Sequence, residues 1–159
     1  MADAVNGASG AAVGRRDSLE GRLGGLADVG KLVLRLTTGG LMLFHGVDKL
    51  IHGLGHIRSD LAAAGLPTAL AYGVYLGEIV APICIILGLW TRLWALVYAG
   101  SIAFAVATVH GRDFARLAPT GAWAAELWVF YIVCPIVIAL LGGGRFSLDR
   151  RYFLRAYPP

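Results

Sequence analysis

Four stretches of this chain are each long and apolar enough to cross a lipid hydrocarbon core, and nothing else limits its fold as strongly. They lie near residues 31–51, 67–89, 91–111 and 122–142, and about 20 residues of helix suffice for one crossing. In lipid a backbone N–H or C=O finds no water, so a lone segment must satisfy its own polar groups as a helix. Only Thr91 and Arg92 separate the second and third stretches, which makes those two an antiparallel hairpin. The expected fold is all-α: an integral membrane antiparallel four-helix bundle. Composition agrees. Of the 159 residues, 57% are hydrophobic and 15% charged, with mean hydropathy +0.68, whereas an average soluble domain carries about 25% charged residues. That balance argues against a water-soluble globule. Two cysteines cannot make a disulfide scaffold, and no basic-plus-aromatic tract points to nucleic acid.

The net charge of +4 acts here as a topology signal. Ten of the 14 Lys and Arg (Arg15, Arg16, Arg22, Lys31, Arg35, Arg92, Arg145, Arg150, Arg151 and Arg155) fall on one side of the expected spans. Lys49, Arg58, Arg112 and Arg116 fall on the other. The positive-inside rule then makes both termini cytoplasmic, in a chain that crosses the membrane several times. Trp90, Trp94 and Trp123 sit at span ends, as interfacial anchors do. Residues 1–29 are rich in Gly, Ala and Ser and lack a basic n-region followed by an apolar core, so no cleavable signal is expected there. They read as a mostly disordered cytoplasmic tail, with a short surface helix near Ser18–Leu26 as the alternative. Residues 30–144 form the membrane domain, and 145–159 a basic cytoplasmic tail.

A charge at bilayer depth costs about 2.5–3.5 kcal/mol on insertion scales, so each one asks for a reason. Glu78 lies 11 residues after Pro67, roughly 16 Å deep at 1.5 Å per residue. Near the outer end of the first span, His45, Asp48 and Lys49 share a helix face, and His52 continues it. His56 lies one turn further. The third span ends with Thr108 and His110, and Glu126 lies about one turn into the fourth. If these groups all face inward, they form a polar track from the outer surface towards mid-membrane. Such a track is either a functional site, the default for intramembrane ionisable residues, or structural glue in which Lys49 neutralises Glu126 or Glu78.

The remaining features weigh less. The histidines with Glu126 offer ligands that suit zinc, iron or copper, but no span carries Glu-x-x-His pairs, and the His gaps also fit a solvated loop. No metal site is expected. Cys84 and Cys134 reach similar depth and read as inert filler rather than a redox pair. Pro82 and Pro135 should kink their helices, Pro82 freeing the carbonyl of Glu78. Gly39-Gly40, the GxxxG pair Gly73 and Gly77, and Ala99, Gly100 and Ala103 permit close helix approach, within the bundle or to a second copy.

Taken in order, several short motifs resemble the DoxX family of small four-helix bacterial membrane proteins. His45-Gly46 and Lys49-Leu50 close the first span, Gly65-Leu66-Pro67 opens the second, and Glu78 stands in mid-span. Gly88-Leu89 leads into Thr91-Arg92, Glu126 comes early in the fourth span, and Gly142-Gly143-Gly144-Arg145-Phe146-Ser147-Leu148-Asp149 ends the domain. The resemblance covers about residues 30–150. Pro82 departs from it, since relatives tend to carry glycine after the second-span acid. Members are linked to thiosulfate:quinone oxidoreductase subunits, quinol oxidase components, thiol and oxidative stress, and quinone detoxification. The resemblance therefore implies redox work with a quinone.

Quinone reduction needs proton donors at the carbonyl oxygens and an apolar slot for the ring. His45, Lys49, Glu78 and Glu126 are the candidate catalytic groups. Phe44, Asp48, Tyr75, His110 and Trp128 are the candidates for holding the quinone. No haem, flavin or iron–sulfur motif is present, so electrons would come from a redox partner protein or a soluble reductant. The competing readings are a membrane scaffold that recruits partners through its tails, and a small transporter with Glu78 as proton carrier.

Overall fold

The computed structural model describes residues 2–110, 114–119 and 121–156. Helix α1 runs Ala2–His52, with no proline to stop it. The expected first span is its C-terminal part. Residues 2–29, where composition predicts a tail, continue the same helix upstream, and from Glu20 to Gly30 most of its residues are exposed. Helix α2 (Gly55–Ala63) follows a left-handed Gly53. It lies in a stretch read from sequence as an outer loop, held there by Leu54 and Leu61, which pack on Ala71. Helix α3 spans Thr68–Leu87 and α4 spans Thr91–Val109; both are long and apolar enough to cross a membrane. Helix α5 (Glu126–Leu141) is shorter, and α6 covers Leu148–Ala156. Among the described residues there is no strand, only an isolated bridge between Leu117 and Trp123.

That bridge accounts for the late start of α5. Ala118 N–H donates to the Ala122 carbonyl and Ala124 N–H to the Arg116 carbonyl, at 2.8 and 3.1 Å. The backbone of residues 122–124, expected to be helical, is thereby committed to the loop, and the helix begins at Glu126.

Helix α3 is not uniform. It opens as a 3₁₀ segment over Thr68–Tyr72 and widens to a π turn over Leu76–Val80 before Ala81–Leu87 resume the α form. Pro82 gives the physical cause. It has no N–H to donate, and its ring crowds the carbonyl four residues back, which is that of Glu78. A wide turn relieves the clash, so the proline ends in a π-bulge around the acid.

In contact order, α1 packs on α3, α3 on α4, α4 on α5, and α5 back on α1. Glycines set the closest crossings. A Cβ on Gly46 would lie 2.4 Å from the Glu78 carbonyl oxygen, and one on Gly39 would lie 3.0 Å from the Pro82 carbonyl oxygen. One on Gly77 would sit 1.9 Å from Ser101 Oγ, locking α3 to α4. Gly73, the other half of the GxxxG pair, faces open space. The core between the helices holds Met42, Ala81, Ile85, Ala95, Tyr98, Ile102, Val106 and Ile138.

At the end of the molecule where α3 turns into α4, Arg35 is buried. Its guanidinium donates to the carbonyls of Ile85 and Ile86 (2.8 Å each), Phe146 (3.3 Å) and Gly143. Two of these carbonyls belong to the last turn of α3, where the helical ladder runs out. Gly88 closes that end with φ +73°, its N–H reaching the Ile85 carbonyl while the Leu89 N–H reaches that of Cys84. From the far tail, Asp149 accepts from the Trp90 N–H (2.6 Å), the Thr91 N–H (2.9 Å) and the Thr91 hydroxyl (2.6 Å). Arg35, counted from sequence only as a topological charge, is thus a clamp joining the first helix, the hinge and the tail.

Candidate functional site

Two charged side chains are buried between helices whose outer faces are apolar. Arg35, Thr38, Glu78, Thr91 and Ser147 are buried, while Leu76, Val80, Ile83, Leu96, Phe104, Phe130, Val133 and Leu140 are exposed. Water would select the reverse arrangement. An acyl-chain solvent would select this one.

The deepest acid has a partner. Lys49 Nζ donates to Glu78 Oε2 at 2.5 Å, bridging α1 and the π-bulge of α3, with side chains 17% and 10% exposed. Of the two partners that the sequence left open for Lys49, the structure selects Glu78. The pairing has a local origin. Gly46 admits the backbone of Glu78 within a contact that no side chain would permit, and Lys49, one turn further along α1, then lies beside the carboxylate. The Tyr75 hydroxyl donates to the Lys49 carbonyl at 3.3 Å and steadies the same turn.

Beside this pair lies a cavity of about 520 Å³, within the range of small-molecule sites. Its walls are mostly apolar: Ile57, Leu61, Leu70, Val74, Ile102, Phe104, Val109 and Trp128, with Gly73 and Gly100 leaving room. The polar groups on its lining are Lys49, Glu78, Ser101, Thr108, and His56 and Asp60 from α2. An ammonium and a carboxylate on a greasy wall can bind a polar, ring-shaped molecule, donate to its oxygens and exchange protons with it.

Of the other expected residues, Trp128 lines the cavity, and Tyr75 touches it only through Lys49. His45 is exposed and turns to Tyr131, Nε2 to hydroxyl 3.2 Å, with their rings edge to face. Asp48 pairs on the surface with His52 at 2.8 Å. Phe44 is 76% exposed, and Glu126 is exposed in the first turn of α5; neither lines the cavity. The backbone of His110 ends the π turn Val106–His110, and its side chain lies outside the described residues. Among the described residues no three of His, Cys, Asp and Glu gather as metal ligands, and Cys84 and Cys134 are free thiols.

Sequence reasoning missed Ser101, Asp60, Tyr131 and Tyr98. Tyr98 is fully buried, and its hydroxyl has no hydrogen-bond partner among the described residues. The one available signal was a polar hydroxyl in an otherwise apolar span.

Helices with buried charge and outward-facing grease define a membrane protein. The particular family follows from comparison: residues 30–111 match the DoxX model, and the chain belongs to the DoxX family, a family of membrane proteins. It is similar to an uncharacterised protein of Haemophilus influenzae, 29% identical over 120 residues, which are 76% of this chain and 88% of that one. It is also similar to a Bacillus subtilis protein named "Putative oxidoreductase CatD", 27% identical over 122 residues, 77% of this chain and 86% of that one. No solved structure matches.

Proposed function

We propose that this protein is a four-span bundle of the bacterial inner membrane that binds a quinone beside Lys49 and Glu78 and acts within an oxidoreductase system. The span regions of α1, α3, α4 and α5 cross the membrane, and both termini face the cytoplasm, as the excess of Lys and Arg on that side requires. Helix α5, at 16 residues, is short for a crossing and is accommodated by local bilayer thinning. One observation carries the site: an ion pair contributed by two different helices on the wall of an apolar cavity of about 520 Å³.

The chemistry fits. Trp128 and the aliphatic wall would hold a quinone ring, and the Lys49 ammonium would donate to one of its carbonyl oxygens. Reduction to quinol takes two electrons and two protons. Lys49 gives a proton to the reduced quinone oxygen and takes another through Glu78, while His56 and Asp60 stand on the same lining as the route from the outer aqueous side. The electrons come from a partner protein or a soluble reductant, and the name of the Bacillus subtilis relative supports redox work.

Purification in mild detergent, followed by extraction and quantification of bound quinone, tests this reading. The native protein should carry quinone in stoichiometric amount. Folded Glu78→Gln and Lys49→Met variants should lose at least about tenfold in quinone affinity, the worth of one charge-assisted hydrogen bond. Equal quinone content in folded variants would overturn it.

A further inference from the structure

A second concavity, an open groove of about 850 Å³, lies at the opposite end of the spans from the quinone cavity. Its walls come from the start of α4, the end of α5 and the start of α6, including Trp90, Leu93 and Leu141 on the apolar side and Arg92 and Arg150 on the charged side. Because it lies where two apolar helices begin and end, its depth is that of the headgroup layer if those helices span the bilayer. The inference rests on that part of the proposed function and not on the quinone.

The charges in this groove are not matched. Asp149 also lines it, but both carboxylate oxygens are engaged by the Trp90 and Thr91 N–H groups and the Thr91 hydroxyl. Among the described residues neither the Arg92 nor the Arg150 side chain has a hydrogen-bond or ion-pair partner, and both residues are exposed. Trp90, 67% exposed, is an indole at the lip of the groove, a position that suits the headgroup boundary. Two open guanidiniums suit a phosphate, which they hold through paired N–H donors. Leu93 and Leu141 continue from that charged end along the outside of the spans, where both are exposed. A charged head joined to an apolar tail is the complement of this surface.

We propose that the groove binds one anionic phospholipid, its phosphate between Arg92 and Arg150 and its acyl chains along Leu93 and Leu141. Trp90 covers the glycerol region. The bound lipid ties the α3–α4 hinge to α6 on the outside, as Asp149 does on the inside.

The test uses the full-length protein in detergent, titrated with phosphatidylglycerol, with phosphatidylcholine and with inorganic phosphate, and read by native mass spectrometry. Phosphatidylglycerol should bind as a single retained copy, well ahead of the other two. The R92Q/R150Q double variant should lose roughly 10- to 30-fold in that affinity, as expected for two basic groups at a headgroup surface. An R58Q/R116Q double variant, with the same change in net charge, should bind like the native protein. Equal losses in both double variants would reduce the effect to overall charge and overturn the proposal. So would equal binding of phosphatidylcholine, or of phosphate alone. Alkaline carbonate washing of membranes separates the two failures: a washed-off chain defeats the spanning helices, whereas a retained chain without lipid preference defeats only the groove.

Discussion

Lys49 and Glu78 form a largely buried ion pair between two helices. Breaking a buried pair by removing one partner costs about 3–5 kcal/mol, whereas replacing both can be close to neutral. Lys49→Met and Glu78→Gln should each lower the unfolding midpoint in detergent more than the combined variant does. Additive losses would mean that the two side chains do not depend on each other. Arg35 should be less forgiving. Arg35→Met strips the donor from four carbonyls, two of them at the end of α3, and should cost at least about 3 kcal/mol by chemical denaturation. Tyr98→Phe is the reverse case. It removes a buried hydroxyl that has no partner among the described residues and should leave stability unchanged or raise it by about 1 kcal/mol; a clear loss would show that the hydroxyl is satisfied. At this scale the sequence disclosed depth but not rotation. Glu78 and Glu126 both stand as partners for Lys49 because all three are rare charges in apolar stretches, and only the fold selects Glu78. Phe44, Asp48 and Glu126 lie at suitable depths too, yet face away from the cavity. A one-dimensional pattern carries no azimuth for a helix that is apolar all round.

Among the elements, α3 concentrates the unusual backbone. Its π-bulge sets Glu78 against Gly46 of α1, and its two motif glycines have different surroundings. Gly77→Ala would drive a Cβ into Ser101 and should cost about 1–3 kcal/mol as overpacking. Gly73→Ala meets nothing within 4 Å and should be tolerated in thermal melts. Equal sensitivity at both positions would favour a GxxxG dimer face over packing within the chain. The helices α3 and α4 and the hinge between them were legible because long apolar runs and a Gly-Leu-Trp-Thr turn leave few alternatives. Helix α2 and the shortened α5 were not. The first depends on Leu54 and Leu61 finding Ala71, and the second on backbone pairing between residues 116–118 and 122–124. Both are tertiary facts.

For the whole molecule, the order of short motifs is enough to indicate the family, and the fold explains two of those motifs. The glycine-rich tail ending in Ser-Leu-Asp is the strap that brings Gly143 to Arg35 and Asp149 to Thr91. His45-Gly46 and Lys49 belong to the crossing that meets Glu78. Arg35 and Asp149 thus tie one end of the molecule together, and the mostly apolar cavity beside the Lys49–Glu78 pair lies towards the other. Photolabelling tests this division most directly. An azido-quinone illuminated on the purified protein, with labelled peptides mapped by mass spectrometry, should mark the segments around Lys49, Val74–Glu78 and Trp128, and excess unmodified quinone should suppress the label. Label scattered over the exposed apolar faces of α4 and α5, or unaffected by competing quinone, would contradict a quinone site at the Lys49–Glu78 pair.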